Sequence, residues 1–477
     1  MPAADASPSV VLERLPALDG IAPADAADAF RDLPGLALLE SARPGRVGRW
    51  SFLVAEPVAV LEGGSPGDDP FALSRAALAR LDLSPLPLGE PSAAEPPFTA
   101  GLVGHLAYDL GRRLERLPAS ATDDQDLPDM RLGLYPWSIA WDGRGGSAWL
   151  AGRAVDGDAD GLVSMLAGVR ARVEAVVRVP HRGEPAFPRL TFRAEVDRGE
   201  WMARVEIVRA AIAAGELYQA NLTRRLVARF DGDPWPVFRR LRAGEPASFT
   251  AYIDLGRHPL TGAPRAIVSA SPEPFLALDA AGRVRTDPIK GTRPRGRTRV
   301  EDRALAAELL ASGKDRAENT MIVDVLRNDL GRVCRPGSIR APRLSRLERT
   351  PSVQHLVSTV TGRLAPGRDA FDLLAAAFPG GSITGAPKIR AMELLESLEP
   401  VRRGPYCGAA LWVDAGGAAG SSILIRTFVA DGRRLTLHVG GGITWRSDPA
   451  AEWEETRTKA RGPLRAIGAA VDGEEDR

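Results

Sequence analysis

One stretch of the sequence, DPIKGTRPRG at residues 287–296, contains a lysine whose amine could act as a nucleophile. The chain has 62 lysines and arginines, yet lysine occurs only at 290, 314, 388 and 459. Lys290 precedes Gly291, whose small size lets the backbone approach a ligand closely. A buried ammonium can lose its proton, whereas a guanidinium effectively cannot. Lys290 is therefore a candidate nucleophile or base, and an ordinary salt-bridging lysine is the alternative.

Two segments each place two carboxylates three residues apart, Asp315 with Glu318 and Glu452 with Glu455. A serine three residues before the first pair and an Asp-Pro before the second are signals for the start of a helix. Each pair is then expected on one helix face. Mg²⁺ takes oxygen ligands and shares them with an anionic substrate, so two facing pairs could hold it. The alternative is that acidic residues in a first turn only stabilise the helix dipole.

Two glycine-rich segments could bring their backbone close to a ligand. Residues 378–400 lack the Gly-Lys-Ser/Thr of a phosphate loop, because Gly385 is followed by Ala-Pro-Lys. This turn still leads into a helix, whose first N–H groups could bind an anion. Residues 439–445 read VGGGITW, which indicates close approach to a ligand or a bulge. His355 lies in a predicted strand, where core packing is the alternative to a role in the site.

The composition excludes several classes of protein. Of 477 residues, 44% are hydrophobic and 26% are charged, as in a globular protein, and the net charge is +1. The basic run RPRGRTR at 293–299 is too short to indicate nucleic-acid binding. Cys334 and Cys407 form no disulfide or metal pattern, and the sequence has neither a signal-peptide start nor an apolar run of membrane-spanning length. We therefore expect a cytoplasmic protein that binds neither nucleic acid nor membranes.

The elements that must position these residues form a mixed pattern. Short apolar runs between turns predict strands before residue 180, with a helix at 161–179, and a linker is predicted at 180–190. Strands then mix with predicted helices, and residues 421–431 are predicted as one strand. These helices cover 198–214, 300–313, 315–330, 370–377 and 388–398, and a last one starts at Pro449. Because strands and helices do not alternate, an α+β fold with large antiparallel sheets is predicted rather than a doubly wound sheet.

A series of segments in this order resembles a known family. They are GELYQANL, SASPEPFL, DPIKGTRPRG, AENTMIVDVLRNDLG, HLVSTVTG, GGSITGAPKIRAME, SILIRTF, GGGITWRSDPAAEWEET and the KA at 459–460. Together they resemble the chorismate-utilising enzymes, which include anthranilate, isochorismate, salicylate and aminodeoxychorismate synthases. The resemblance is dense over 195–465. It implies a single large chorismate-binding fold of two stacked, mainly antiparallel sheets flanked by helices, with an anthranilate-synthase-like region at 1–180 and a catalytic region at 190–468.

The lysine of PIKGT favours one branch of this family. Aminodeoxychorismate synthase component I carries a lysine there, whereas anthranilate synthase component I typically carries alanine. Isochorismate and salicylate synthases also have a lysine, but in different surroundings. Residues 101–118, with the segments LLES and GRWSF, also resemble the branch that works with a glutamine amidotransferase. The resemblance implies that chorismate and ammonia become 4-amino-4-deoxychorismate, for 4-aminobenzoate and folate biosynthesis, through an adduct on Lys290 with Glu273 as the acid.

The resemblance also implies a magnesium site on the two carboxylate pairs. Glu318 and Glu455 correspond to direct ligands of Mg²⁺. Asp315 and Glu452 correspond to residues that hold metal-bound water or complete the site. This chain departs from the family pattern in having Asp315 where relatives often have glutamate, and Asn319 where many have histidine.

The remaining matches imply substrate-binding groups. Arg426 and Lys459 are expected to hold carboxylates, and His355 to orient the ring or its carboxylate. The others are Gly291, Thr292, Gly385, Tyr406, Gly440, Gly441 and Gly442. The LLES segment resembles the tryptophan pocket of relatives, and a buried strand end is the alternative. That pocket corresponds here to Ser41, Arg49, Trp50, Ser248, Phe249 and Thr250.

The reaction that the resemblance implies consumes ammonia, and none of the recognised motifs is that of an ammonia-releasing glutaminase. Neither Cys334 nor Cys407 lies in the sequence context of a glutaminase nucleophile. We therefore expect a separate glutamine amidotransferase subunit as a partner, with chorismate as substrate. The alternatives are an anthranilate synthase component I with an unusual lysine, an isochorismate-type isomerase, and a paralogue without catalytic activity.

Overall fold

A computed structural model describes residues 7–43, 45, 47–63, 67–86, 95–178, 187–349 and 353–473 of the chain. The predicted linker at 180–190 lies mostly outside these residues. The strands are β1 Val10–Arg14, β2 Ala37–Glu40, β3 Trp50–Val54, β4 Ala59–Glu62, β5 Gly101–Leu106, β6 Met130–Tyr135, β7 Trp137–Asp142, β8 Ala148–Arg153, β9 Thr191–Ala194, β10 Gln219–Arg229, β11 Phe249–Arg257, β12 Pro264–Ser271, β13 Pro274–Leu278, β14 Arg283–Thr286, β15 Ile289–Pro294, β16 Arg340–Arg349, β17 Val353–Arg363, β18 Gly385–Ala386, β19 Ala409–Asp414, β20 Ala419–Ile423, β21 Thr427–Ala430, β22 Arg434–Ile443 and β23 Ala470–Val471.

The α-helices lie between these strands along the chain. They are α1 Pro23–Ala27, α2 Ala72–Leu78, α3 Gly111–Leu114, α4 Ala159–Arg178, α5 Arg198–Ala213, α6 Trp235–Gly244, α7 Arg299–Ala311, α8 Gly313–Gly331, α9 Ala370–Ala377, α10 Lys388–Leu398 and α11 Pro449–Ala466. Within the described residues, none of them is both long enough and apolar enough to cross a bilayer.

Two sheets contain all of these strands. The first has 13 strands in the order β1-β8-β7-β3-β2-β11-β12-β21-β22-β10-β9-β23, with β18 also paired to β10. The second has 10 strands in the order β15-β17-β14-β13-β20-β19-β5-β6-β4, with β16 also paired to β17. Within the described part of the chain, only β9 and β23 pair in parallel among the named strands. The predicted α+β fold with two mainly antiparallel sheets is confirmed.

Strands from both sides of the predicted linker meet inside each sheet. β2 pairs with β11 in the first sheet, and β5 pairs with β19 in the second. The regions 1–180 and 190–468 therefore share their sheets. The division into those two regions remains a prediction about the sequence.

The chain crosses from one sheet to the other within the run that was predicted as a single strand. β20 pairs with β13 and β19 in the second sheet, and β21 pairs with β12 and β22 in the first. Between them Arg426 has a φ of +51°, which ends the extended conformation. The prediction of one strand over 421–431 was wrong, because apolar periodicity does not reveal a left-handed residue between two apolar segments that belong to different sheets.

The helices that carry the carboxylate pairs begin where the sequence predicted. The Ser312 hydroxyl accepts a hydrogen bond from the Asp315 backbone N–H at 3.2 Å, which caps α8. The Asp448 carboxylate accepts one from the Ala451 N–H at 2.8 Å, which caps α11. These caps satisfy backbone donors that a helix N-terminus otherwise leaves exposed.

Candidate active site

The amine of Lys290 lies against a glycine-rich turn. Lys290 is half-buried on β15, opposite Leu356 of β17. Its Nζ donates a hydrogen bond to the backbone carbonyl of Ser382 at 3.2 Å. Ser382 belongs to the turn between α9 and α10, so the packing of that turn decides where the amine points. Sequence reasoning did not select Ser382, because a serine in a glycine-rich turn gives no signal of its own.

A buried carboxyl group lies beside this amine. Glu273, between β12 and β13, is only 9% exposed, and its carbonyl accepts a hydrogen bond from the Ile423 N–H at 3.1 Å. Burial raises the pKa of Glu273, and the charge of Lys290, a hydrogen bond with the Ser382 side chain and the charge of Lys459 offset only part of that rise. The structure thus gathers Lys290 and Glu273 around Ser382. A carboxyl group whose pKa is raised can act as a general acid nearer to neutral pH.

The first carboxylate pair presents one oxygen that accepts no hydrogen bond within the described chain. Glu318 Oε1, on α8, is buried and accepts no hydrogen bond from a described group. Lys314 Nζ lies 3.8 Å from it. Burial raises the pKa of Glu318; Lys290 and Lys314 oppose this rise, and Asp315 and Glu455 add to it.

The second pair lies against the glycine strand. Lys459 Nζ is 2.7 Å from Glu455 Oε1; burial raises the pKa of Glu455, but this ion pair outweighs it and the pKa falls below its ordinary value. Glu452 is buried and accepts a hydrogen bond from Ser447 Oγ at 2.6 Å, and burial raises its pKa. A Cβ at Gly441 would lie 3.0 Å from Glu452 Oε2 and 3.6 Å from Glu455 Oε1. The glycine therefore leaves the room that both carboxylates use.

Asp315 is held in a different way from its neighbours. Arg293 Nη2 donates to Asp315 Oδ2 at 3.3 Å. Gly291 has a φ of +80°, and a Cβ at this position would lie 2.9 Å from the Asp315 Cβ. Both the conformation and the close approach require glycine there. Because an arginine already binds Asp315, direct metal ligation by this residue is less favoured than ligation by Glu318.

Asn319 fixes the face of α8 that carries Glu318. This side chain is fully buried, and its amide oxygen accepts hydrogen bonds from the hydroxyls of Ser358 and of Ser345, the latter at 3.3 Å. Its amide nitrogen donates to the Leu356 carbonyl at 3.4 Å. Asn319 therefore ties α8 to β16 and β17.

The carboxylates suit a hard cation in their chemistry. Nowhere in the described part of the chain do three His, Cys, Asp or Glu side chains form a complete metal cage. Mg²⁺ needs only one or two carboxylates when water and an anionic substrate complete its coordination. Glu318 and Glu455 lie within electrostatic reach of each other across α8 and α11, and Glu318 keeps an oxygen without a hydrogen bond from a described group. Glu318 fits a magnesium ion as it stands, and Glu455 would do so by exchanging its ion pair with Lys459 for the metal; the assignment stays a prediction.

Two predicted substrate-binding residues touch at one edge of the site. Thr292 Oγ1 and His355 Nδ1 are 2.9 Å apart. Burial, together with the charges of Arg426 and Arg43, lowers the pKa of His355 to about 4. The imidazole is therefore neutral near pH 7, which suits it to hydrogen bonding rather than to ion pairing. Arg426 Nη1 lies 3.7 Å from Glu245 Oε2.

Two of the predicted glycines, Gly385 and Gly442, pack against Gln219. A Cβ at Gly385 would lie 2.3 Å from the Gln219 carbonyl, and one at Gly442 would lie 2.3 Å from Gln219 Nε2. Lys459 Nζ donates to the Gly440 carbonyl at 2.8 Å. Glycine is thus required for close packing at 385 and 442, and Gln219 is a site neighbour that sequence reasoning missed.

Tyr406 has a different environment from the other predicted residues. It is buried and stacks on His438, with 5.1 Å between ring centroids and an interplanar angle of 11°. His438 precedes Gly440 on β22 by two residues. Tyr406 therefore packs against this strand, and none of its described contacts is with Lys290 or the carboxylate pairs.

The four lysines of the chain all serve this region. Lys290, Lys314 and Lys459 act on the carboxylates described above. Lys388 Nζ donates to Asp329 Oδ2 at 2.8 Å and to the Ala377 carbonyl at 3.0 Å. It therefore joins the start of α10 to α8 and to the end of α9, and α9 and α10 lie on either side of the glycine-rich turn. The scarcity of lysine was the signal in the sequence that could have identified Lys314 and Lys388 as well.

A separate cavity of about 970 Å³ lies between the two sheets. Five of the six residues predicted for a tryptophan pocket line it: Arg49, Trp50, Ser248, Phe249 and Thr250. Ser41 lies just outside, beside Gly48, and its hydroxyl accepts or donates no hydrogen bond with a described group. Both carboxylate oxygens of Asp142 are bound by Arg49, at 2.8 and 2.7 Å. The walls of the cavity are mostly apolar.

Comparison with known proteins is consistent with this geometry. The family model described as "chorismate binding enzyme" matches residues 38–465. The chain is 41% identical over 424 residues to aminodeoxychorismate synthase component 1 of Klebsiella aerogenes, covering 86% of this chain and 88% of that protein. It is 40% identical over 463 residues to anthranilate synthase component 1 of Mycobacterium bovis, covering 92% and 88%. The crystal structure of anthranilate synthase component I from Streptococcus pneumoniae superposes with a TM-score of 0.75 at 27% identity, covering 88% of this chain and 93% of that one.

Proposed function

The chain belongs to the family of chorismate-binding enzymes, and on that premise we propose that it aminates chorismate to 4-amino-4-deoxychorismate. The observation that carries this proposal is the contact of the Lys290 amine with Ser382, beside the buried carboxyl group of Glu273. The similarity to aminodeoxychorismate synthase component 1 of Klebsiella aerogenes supports the same product. A lysine amine and a carboxylic acid in one pocket form a nucleophile and a proton donor.

In the proposed reaction the neutral amine of Lys290 adds to ring carbon 2 of chorismate. The ring double bonds shift, and the hydroxyl at carbon 4 leaves as water after it takes a proton from Glu273. Ammonia then adds at carbon 4, the double bonds shift back, and the bond from carbon 2 to Lys290 breaks. The enolpyruvyl ether is retained, and the sum of the steps is chorismate plus ammonia giving 4-amino-4-deoxychorismate plus water.

Magnesium is part of this proposal. A bound Mg²⁺ supplies positive charge that holds a substrate carboxylate and reduces the repulsion among the acidic side chains. Glu318 and Glu455 would hold it, while hydrogen bonds from Ser447 and Arg293 orient the Glu452 and Asp315 carboxylates, which would complete the site. Lys459, hydrogen-bonded to the Gly440 carbonyl, is positioned to contribute positive charge to the substrate pocket.

The partner in this proposal is a separate glutamine amidotransferase subunit that releases ammonia. Cys407 is fully buried and burial raises its pKa to about 12, so it is not an activated thiol of the kind a glutaminase needs. Cys334 is buried too, and burial raises its pKa. We place the reaction in the cytoplasm, in 4-aminobenzoate and folate biosynthesis, and expect the cavity between the sheets to accept tryptophan.

Anthranilate formation is the second candidate function. The 40% identity to anthranilate synthase component 1 of Mycobacterium bovis, over 463 residues, favours it. Lys290 is the feature that distinguishes the two, because the covalent route needs an amine at this position. Because both reactions use chorismate and ammonia, an activity assay distinguishes them by the product that forms.

The product assay tests the proposal directly. Purified protein is incubated with chorismate, Mg²⁺ and an ammonium salt, and the products are separated by chromatography and identified by mass. We expect 4-amino-4-deoxychorismate, and 4-aminobenzoate only after a suitable lyase is added. Fluorescent anthranilate without the lyase would contradict the proposal, and a chorismate isomer formed without ammonium would indicate an isomerase.

Variants of Lys290 test the covalent step in the same assay. Lys290→Ala removes the amine, and Lys290→Arg keeps the positive charge but supplies no neutral nucleophile. We expect both to lose most of the amination activity while chorismate binding to Lys290→Arg persists. Turnover of Lys290→Ala at the rate of the unaltered protein would exclude the adduct, whatever the product is.

A further inference from the structure

One guanidinium nitrogen of Arg43 donates no hydrogen bond to any described group. It lies between β2 and β3, in the same segment as Arg49. Its backbone N–H donates to the Ala247 carbonyl at 3.1 Å, and its carbonyl accepts from Ser248 Oγ at 3.3 Å. These bonds fix the backbone, while Nη2 is buried and makes no hydrogen bond within the described chain. A buried charged donor is stabilised when an anionic group accepts from it.

Arg426 also approaches the turn that contains Ala247. Its backbone carbonyl accepts from the Ala270 N–H at 3.1 Å, which holds the left-handed residue between β20 and β21. Arg426 Nη1 is 3.7 Å from Glu245 Oε2, and its side chain remains 43% exposed. Glu245 and Ala247 belong to one turn between α6 and β11. Both arginines therefore converge on this turn, from different parts of the chain.

The charges at this place are mostly of one sign. Burial lowers the pKa of Arg43, and the charge of Arg426 lowers it further. The same two arginines depress the pKa of His355. The acidic group that faces Arg426 is Glu245, and Arg465 Nη2 also approaches it, at 3.9 Å. The local excess of positive charge favours the binding of an anion.

We propose that Arg43 and Arg426 together bind one carboxylate of the substrate, so that the N-terminal region contributes a substrate-binding residue. This inference rests on the proposed function, because chorismate carries two carboxylates. The carboxylate pairs and their cation hold one of them, and the two arginines hold the other. Neither composition nor motif spacing indicated Arg43, since its role depends on the pairing of β2 with β11.

The geometry also explains why the position carries arginine. The guanidinium presents several donors in a fixed plane and can bridge a carboxylate with two parallel hydrogen bonds. A lysine at this position keeps the charge but offers a single flexible ammonium. Arginine and lysine at position 43 are therefore expected to bind the same carboxylate with different affinities.

The Michaelis constants of two variants test this inference. Arg43→Gln is expected to raise the KM for chorismate about tenfold or more, with kcat within about twofold of the unaltered protein, because a charge-assisted hydrogen bond is lost equally from bound substrate and transition state. Arg43→Lys is expected to give an intermediate KM. Arg209→Gln is the control: Arg209 is half-buried and its Nε is also buried without a hydrogen bond to a described group, but its Nη1 pairs with Glu206 on the same helix, α5, so its KM is expected to stay unchanged.

Three further outcomes decide the matter. If the unaltered protein neither binds nor converts chorismate, the proposed function fails first. If it converts chorismate and Arg43→Gln keeps the same KM, the two-arginine site is overturned while the proposed function stands. If Arg43→Gln does not fold by thermal melting, Arg43→Lys decides, because an unchanged KM in that variant overturns the site. For the combined Arg43→Gln and Arg426→Gln variant, the fold-increase in KM is expected to be smaller than the product of the two single-variant increases, because both residues hold the same carboxylate.

Discussion

The proposed donation of a proton by Glu273 can be tested with a single conservative substitution. Glu273→Gln keeps nearly the same shape but has no proton to transfer. The side chain is 9% exposed, so the substituted amide stays in the same buried surroundings. A general acid contributes roughly 10²- to 10⁴-fold to a rate. We therefore expect kcat to fall by roughly that factor, a loss of about 3–5 kcal/mol of transition-state stabilisation.

The proposed role of Glu273 also predicts the direction in which kcat changes with pH. Burial raises the pKa of Glu273 above its ordinary value, and Lys290, Ser382 and Lys459 only partly oppose this. The protonated form is the active one, so kcat is full below the raised pKa and falls as pH rises through it. Glu273→Gln should lack this falling limb. Glu273→Asp should retain it at a lower rate, because it keeps an acid that lies farther from the substrate.

Ser382→Ala provides an independent check on the same limb. Its hydroxyl makes a hydrogen bond that lowers the pKa of Glu273. Removing a bond worth about 1 kcal/mol should move the limb upward by roughly 0.7 pH unit. Ser382→Thr, which keeps the hydroxyl, should restore the original profile.

The assay is the rate of 4-amino-4-deoxychorismate formation at saturating chorismate and ammonium, measured over a range of pH. Ammonium must be corrected for its own ionisation, so each profile is normalised to free ammonia. The reasoning is refuted if Glu273→Gln keeps more than about a tenth of the unaltered kcat, well short of the range for a general acid. It is also refuted if the falling limb persists in that variant at the same pH.

Two other outcomes are expected. Glu318→Gln should weaken Mg²⁺-dependent chorismate binding in calorimetry with and without the metal, since Glu318 Oε1 accepts no hydrogen bond from the described chain; an unaltered Mg²⁺ requirement would contradict the ligand assignment. Burial lowers the pKa of His105 to about 3, so the unfolded state takes up the proton first and stability falls as pH drops below about 6.5. Between about pH 7 and pH 5 this loss is about 2 kcal/mol, and His105→Asn should remove it from urea-unfolding curves.

The sequence was sufficient for features that depend on neighbouring residues. Helix starts at Ser312 and Asp448 followed from side chains that cap their own backbone a few residues on. The mixture of strands and helices excluded a doubly wound sheet, and the two antiparallel sheets confirm the fold class. The motif series pointed to the chorismate-binding enzymes, and the family model over residues 38–465 confirms that membership.

Features that depend on distant residues required the tertiary structure. The path from β20 to β21 is set by one left-handed residue, Arg426, and by which sheet accepts each strand. Local hydrophobicity is the same on either side of that residue, so periodicity predicted one continuous strand. Strand pairing is decided by the complementarity of whole sheet faces, and a single sequence does not display it.

The site itself divides in the same way. The sequence identified Lys290 by the scarcity of lysine and the carboxylates by their helical spacing, because residue type and short-range periodicity are local properties. Only the packing brought Ser382 to the Lys290 amine, joined α8 to α10 through Lys388, and carried Arg43 from the N-terminal region to the turn that Arg426 also approaches. Those contacts join residues far apart in the chain, and they exist because burying the faces of two shared sheets brings the segments together.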